Sequence, residues 1–285
     1  KRQGLLLGVL CGLSSAAWAQ QQTIAACAKI EKLRNRAGCL LKTDKEAAIK
    51  ALHTVAQEMY QKDTIRLKEK RLGISGRQDI LYAAENAGVI AAKTSEATLY
   101  PLLRDKDIWT QIFALRALSH MLSILHMGYA KGGEADKKRL ATVKGKVAKA
   151  CITRFRSREG EVVTEAATCV GQTRDNAHAA TLVGLLVRSR SSKVQRGIFT
   201  ALRRLSTLSE RAAALRPLAK VLSRKIPKKW SSDDVWIRGD ICGLLALYAK
   251  HGDNWAKNPA EAALRAIGER NSQAKKKCQR LLNRI

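Results

Sequence analysis

Arg188, Arg190, Lys193 and Arg196 fall within one short stretch, and Arg203 and Arg204 follow about two helical turns later. Lys220, Arg224, Lys228 and Lys229 make a second basic cluster downstream. Side chains of this type at this density suit the holding of phosphates or carboxylates. They neutralise the ligand, release its counterions, and make binding depend steeply on salt. Trp109 and Trp236 have two readings open to them, a stacking or cation–π contact on a binding rim and plain packing under neighbouring segments.

Other chemistry finds no support in the residue pattern. The histidines are His53, His120, His126, His178 and His251, and no two sit at the i, i+4 spacing of a helical metal pair. No HExxH, GxSxG, phosphate-cradling glycine loop or DxDxDG segment occurs. The paired carboxylates Asp105/Asp107 and Asp233/Asp234 stand where helices begin, which suits caps and partners for the helix dipole. The expectation is a protein without enzymatic activity, cofactor or metal.

Seven cysteines remain to be placed. Lys1-Arg2, the apolar run Leu5–Leu13 and the small-x-small sequence Ala17-Trp18-Ala19 read as a secretory signal peptide over residues 1–19. Nine apolar residues are too few to span a bilayer, which needs about 20. Cys11 leaves with that segment, and six cysteines enter an oxidising periplasmic or extracellular space, where disulfides form. Cys151 and Cys169 are equidistant from Gly160 in a turn between two helical patterns, so an antiparallel hairpin brings them together. Cys27 and Cys39 flank the bend "RNRAG", and Cys242–Cys278 follow by elimination. A zinc site is the competing use, without a CxxC to support it. No apolar stretch after residue 19 is long enough for a membrane helix.

The formal net charge is +29. Residues 21–130 carry 17 basic and 11 acidic side chains, net +6, whereas residues 131–285 carry 34 and 13, net +21. The asymmetry points to an acidic partner for the C-terminal half: nucleic acid, lipid head groups, an acidic glycan or an acidic protein. The alternative is a solvated cationic surface without a dedicated ligand.

These groups have to be carried by helices. "RLATVKGKVAKACITRF" sets Leu140, Val143, Val147, Cys151, Ile152 and Phe155 on one stripe and its lysines and arginines off it. No strand of period two stands out. "LLRDKDIWTQIFALRAL" (102–118) is a leucine pair, a polar elbow and a second helix closing on Ala117-Leu118. The elbow recurs in "RFRSREGEVVTEAATCV" (154–170), "LVRSRSSKVQRGIFTAL" (186–202) and "KWSSDDVWIRGDICGLL" (229–245), at spacings of 52, 32 and 43 residues. Such a unit cannot bury its apolar face alone, so units must stack, and stacking leaves a long groove.

The pattern resembles the HEAT-repeat family of α-solenoids, in which a leucine pair ends one helix, an Asp-containing turn follows, and the next helix carries small residues where neighbours pack. The resemblance covers roughly residues 94–250, and it implies an all-α solenoid of about four to six stacked antiparallel helix pairs in an exported bacterial protein. The organisation expected is capping helices over 20–72, HEAT-like repeats over 73–257 and C-terminal capping helices over 258–285. "GISGRQD" (73–79) reads as a break and "HMGYAKGGEADKK" (126–138) as a mobile loop. The function expected is a binding scaffold of the cell envelope whose basic surface holds an acidic partner. The alternatives are a protein–protein scaffold with incidental charge and a nucleic-acid-binding, base-excising solenoid.

Overall fold

The computed structural model describes residues 24–43, 46–68 and 75–205, with positions 239, 242, 276, 279, 280 and 283. After a helical turn at 24–28 come α1 (Leu33–Leu41), α2 (Glu46–Lys68), α3 (Ser75–Lys93), α4 (Leu99–Leu102), α5 (Ile108–Ala130), α6 (Glu134–Ile152), α7 (Gly160–Gln172), α8 (Ala179–Arg188) and α9 (Ser192–Arg204). Short 3-10 turns precede α7 (Thr153–Arg156) and α8 (Asn176–His178). The described residues contain no strand. The chain divides into two compact units, 1–143 and 144–285, with the boundary inside α6.

In the first unit the acidic elbow starts α5. Asp105 Oδ1 accepts a hydrogen bond from the Asp107 amide at 2.8 Å, folding the turn. Asp107 Oδ2 accepts from the Thr110 amide and from the Thr110 hydroxyl, both at 2.8 Å. Two otherwise orphaned donors are thereby satisfied, a cap contributing about 1 kcal/mol. Past the cap, Ile112, Phe113, Leu115, Leu118, Met121, Leu122 and Leu125 are all buried. Their three- and four-residue spacing drives this helix into the core.

The helix against which α5 packs most closely is α3, not its sequence neighbour α4. Ala83, Ala84, Ala87 and Ala91 are wholly buried, and a Cβ placed on Gly88 would stand 2.5 Å from the Ala117 carbonyl oxygen. Glu85 pairs with Arg116, 31 positions later, at 2.8 Å. The two helices therefore run parallel and in step. By contrast α2 runs antiparallel to α5: Tyr60 meets Trp109 at 5.0 Å between ring centroids, while His53 meets Phe113 at 5.3 Å. The Cys27–Cys39 disulfide, with Cα atoms 5.6 Å apart, ties the N-terminal turn to α1. Arg36 of α1 then bonds Glu58 of α2 at 2.8 Å.

The second unit repeats this scheme. Cys151 at the end of α6 is bonded to Cys169 of α7, the Cα atoms 6.4 Å apart and both residues fully buried. Again the helix with which α7 meshes is two elements on. Glu161 faces Lys193, Thr164 faces Gly197, and Gly171 abuts the Ala201 backbone. Thus α7 and α9 are parallel and in step, 32 positions apart at Glu161–Lys193. In a hairpin bundle the closest neighbours are antiparallel and adjacent in sequence. Within each unit one pair of helices two elements apart, α3 with α5 and α7 with α9, lies side by side and points the same way, which is how the repeats of an α-solenoid stack. The protein is all-α and built of such repeats.

Three expectations need correction. The break expected over 73–79 ends early, since α3 begins at Ser75. The mobile loop expected over 126–138 is a tight interhelical turn: α5 continues to Ala130 and α6 starts at Glu134. Gly132, at φ 86°, takes the left-handed position after the helix, its amide bonds to the Tyr129 carbonyl at 2.9 Å, and the Gly133 amide reaches the Gly128 carbonyl at 3.0 Å. That is the Schellman closure, so the glycines end a helix and turn it rather than loosen the chain. Finally, α5 is by length and composition apolar enough to cross a membrane. Most of that stretch is buried against its own unit, where it forms the central core helix.

Candidate functional site

The elbows before α7 and α9 carry the same tripeptide, Arg156-Ser157-Arg158 and Arg188-Ser189-Arg190. Parallel, in-step packing of the two helices sets one elbow beside the other. Between them lies a cleft of about 620 Å³ lined by Phe155, Val163, Leu185 and Val194 and by both Arg-Ser-Arg segments with Ser191. All four arginines are exposed. Among the described residues none of them is engaged by a carboxylate. Guanidinium groups that converge unpaired repel one another, and an anion relieves that repulsion.

The two helix starts contribute unequally. Ser191 caps α9 by accepting from the Val194 amide at 3.5 Å, whereas α7 has Glu159 at its N-cap with no side-chain cap bond. The Ser157 hydroxyl accepts from the Glu159 amide at 3.2 Å and so shapes the elbow. One ion pair, Lys193 Nζ to Glu161 Oε1 at 3.1 Å, ties the first turns together. Lys193 is 62% exposed, so the pair adds at most about 1 kcal/mol.

The residues singled out from the sequence separate accordingly. Arg188 and Arg190 line the cleft. Lys193 stands at its edge, occupied by Glu161. Arg196 lies one turn further along α9, and Arg203 and Arg204 lie at the far end of that 13-residue helix, roughly 18 Å from its start. Trp109 belongs to the first unit, half-buried and packed on Tyr60. Lys220, Arg224, Lys228, Lys229 and Trp236 lie outside the described residues, as does Cys278. Cys242 is buried and disulfide-bonded. Arg156 and Arg158 escaped sequence reasoning. Their signal was available as the exact repetition of Arg-Ser-Arg at the register of the stacked helices.

A second cleft, of about 600 Å³, lies in the first unit among Glu46, Ile49, Lys50, His53, Thr54, Ala97, Thr98, Pro101 and Leu102. The Thr110 hydroxyl gives its proton to Asp107, so it accepts from His53 Nε2 at 3.0 Å, and that assigns the imidazole proton. Burial lowers the His53 pKa below its usual 6.5, with Asp105 and Asp107 pulling the other way. Burial likewise lowers His120, opposed by Glu85 and assisted by Arg116. Among the described residues no three His, Cys, Asp or Glu side chains are grouped to hold a metal ion.

No protein-family profile and no curated protein matches the chain. Among solved structures, a designed armadillo repeat protein is similar at 16% identity, with 72% of this chain and 93% of that one covered and a TM-score of 0.44. An engineered protein is similar at 15% identity, with 93% of this chain and 67% of that one covered and a TM-score of 0.45.

Proposed function

We propose that this protein is a non-enzymatic binding scaffold, a HEAT-type α-solenoid of the cell envelope whose basic second unit holds an acidic partner. The observation that carries the reading is that Arg156, Arg158, Arg188 and Arg190 line one cleft, with no carboxylate among the described residues engaging them. Burying or crowding like charges is unfavourable, and a fold that brings four together at two copied elbows has a use for the positive field. Export rests on the basic, apolar and small-residue order of residues 1–19 and on disulfides such as Cys27–Cys39 and Cys151–Cys169, which persist in oxidising compartments.

The test is fluorescence anisotropy with a labelled oligonucleotide and with poly-glutamate, read from 50 to 200 mM salt. Four phosphate contacts give a slope near −3.6 in log K against log salt, about a hundredfold loss over that range. Affinity for an acidic protein that barely responds to salt would instead favour scaffolding with incidental charge. Release of free base from a damaged oligonucleotide would replace the reading with an enzymatic one.

A further inference from the structure

The polar groups lining the cleft share one property: they can all donate hydrogen bonds. They are the guanidinium groups of Arg156, Arg158, Arg188 and Arg190 and the hydroxyls of Ser157 and Ser191, while the Ser189 hydroxyl donates to the Ser191 carbonyl at 3.4 Å. Among the described residues no Asp, Glu, Asn or Gln lines it. The nearest carboxylate on α7's first turn, Glu161, is held by Lys193. The Ser157 and Ser191 oxygens accept backbone amides, which leaves their hydroxyl protons to give. The ligand that complements such a lining is rich in acceptors, without donors of its own, and compact enough for several forks at once.

A carboxylate offers two oxygens and one charge. A phosphate monoester offers three terminal oxygens and close to two charges at neutral pH, and it takes guanidinium groups two oxygens at a time. The volume, about 620 Å³, is that of a small-molecule site rather than of a broad protein interface. Phe155, Val163, Leu185 and Val194 supply apolar wall for whatever carries the phosphate. α7 begins at this elbow without a side-chain cap bond, so its first amides and the helix dipole favour an anion there, offset by the charge of the N-cap residue Glu159.

We propose that the cleft between the two Arg-Ser-Arg elbows is a binding site for a phosphate monoester, taken by two arginines from each repeat. The proposal rests on the reading of this cleft as the acidic-partner site and names the chemistry of that partner. One elbow supplies half of the donors, so neither repeat holds the group alone. Phosphate on a lipid head group and phosphate on a soluble molecule present the same chemistry, and the experiment separates them.

The experiment is calorimetric titration of the full chain, in low-salt buffer free of phosphate, with phenyl phosphate, inorganic phosphate and phthalate. Phthalate matches phenyl phosphate in charge but presents carboxylates. Binding of both phosphates, at least tenfold weaker binding of phthalate, and a loss of tenfold or more in Arg156→Ala/Arg188→Ala support the proposal. Circular dichroism of the variant checks that it remains folded, and Lys149→Ala, an exposed change on α6, is expected to bind as the parent does. Cosedimentation with phosphatidic acid vesicles, competed by phenyl phosphate and absent with phosphatidylcholine, assigns the phosphate to a lipid. Phenyl phosphate binding without vesicle binding assigns it to a soluble ligand. Equal affinity for phthalate and phenyl phosphate overturns the phosphate claim. So does binding of poly-glutamate or oligonucleotide with no response to either phosphate, and both of those results leave the acidic-partner reading standing. Absence of binding to every anion removes both.

Discussion

Gly88 and Ala117 bring two parallel helices into backbone contact: a Cβ on Gly88 would lie 2.5 Å from the Ala117 carbonyl oxygen, 2.9 Å from the His120 Cβ and 3.0 Å from the Met121 nitrogen. Gly171 does the same work in the second unit, 2.7 Å by the same measure from the Ala201 carbonyl oxygen. The repeats stack through these small-residue faces. Side chains would hold the helices apart and shift the register that aligns neighbouring elbows.

The contact decides the sign of a substitution that helix propensity alone would misjudge. In a helix, Gly→Ala gains about 1 kcal/mol from backbone entropy. At Gly88 the added methyl meets backbone that cannot swing aside, and overpacking of this kind costs about 1–3 kcal/mol. Gly88→Ala is therefore expected to be destabilising and Gly88→Val more so. Gly145, in α6 with nothing within 4 Å, is the control: Gly145→Ala should stabilise by about 0.5–1 kcal/mol. Thermal midpoints by circular dichroism compare the two, and stabilisation at both positions would contradict the packing account.

Arg139 closes the C-terminal end of α3 from another helix. Its two terminal nitrogens donate to the Thr94 carbonyl at 2.7 Å and the Ala91 carbonyl at 2.6 Å, with Glu96 at 3.6 Å. Hydrogen bonds from a charged donor to helix-end carbonyls contribute about 1.5–3 kcal/mol. Arg139→Met should cost about that much, and Arg139→Lys should recover only part of it, because an ammonium lacks the planar fork that spans both acceptors. Urea unfolding midpoints measure the series.

The two described bridges restrict the unfolded chain. Cys151–Cys169 closes a separation of 18 residues and Cys27–Cys39 one of 12. Restriction of the unfolded chain at these loop lengths contributes about 3 kcal/mol per bridge. Cys151→Ala/Cys169→Ala should destabilise the second unit by about 2–4 kcal/mol, read as earlier proteolysis within residues 144–205 under graded heating. An unchanged digestion profile would show the bridge to be energetically idle.

Acidification should weaken the first unit. His53 and His120 both have folded pKa values lowered from 6.5 by burial. The unfolded state therefore binds protons more readily than the folded one, so stability rises with pH through the region just below 6.5 and is flat above it. Lowering the pH from 7.5 to 5.5 should lower the melting temperature. His53→Gln, which keeps a donor for Thr110 but does not titrate, should make that drop smaller. An equal drop in the variant would place the proton uptake elsewhere.

Salt titration isolates the residues of the cleft. Arg156→Ala/Arg158→Ala removes two of its four cations while leaving every residue of α9 in place. The slope of log affinity for an oligonucleotide against log salt should become shallower by about 2. Loss of affinity with no change in slope would mean that the elbow had lost its shape rather than its charge.

The features written in the sequence are short-range. The 3.6-residue spacing of Ile112, Leu115, Leu118 and Leu122, the capping aspartates of the 105–107 elbow and the placement of Cys151 and Cys169 either side of Gly160 each involve interactions within one or two helices, so local pattern suffices to predict them. The same locality misled at 126–138, where three glycines suit a loose loop as well as a capped turn, and only the Gly133–Gly128 bond distinguishes them. The composition of the cleft was decided at longer range. Arg188 ends α8 and Arg203 stands in the last turn of α9, so members of one sequence cluster are held apart, while Arg156, of the 3-10 turn before α7, lines the same cleft as Arg188. That shared cleft depends on α7 and α9 stacking parallel and in step, and the step is set where Gly171 admits the Ala201 backbone and Gly197 admits Thr164. Contacts between residues some 30 positions apart arise only once helices have packed, because register between helices is a property of both faces together.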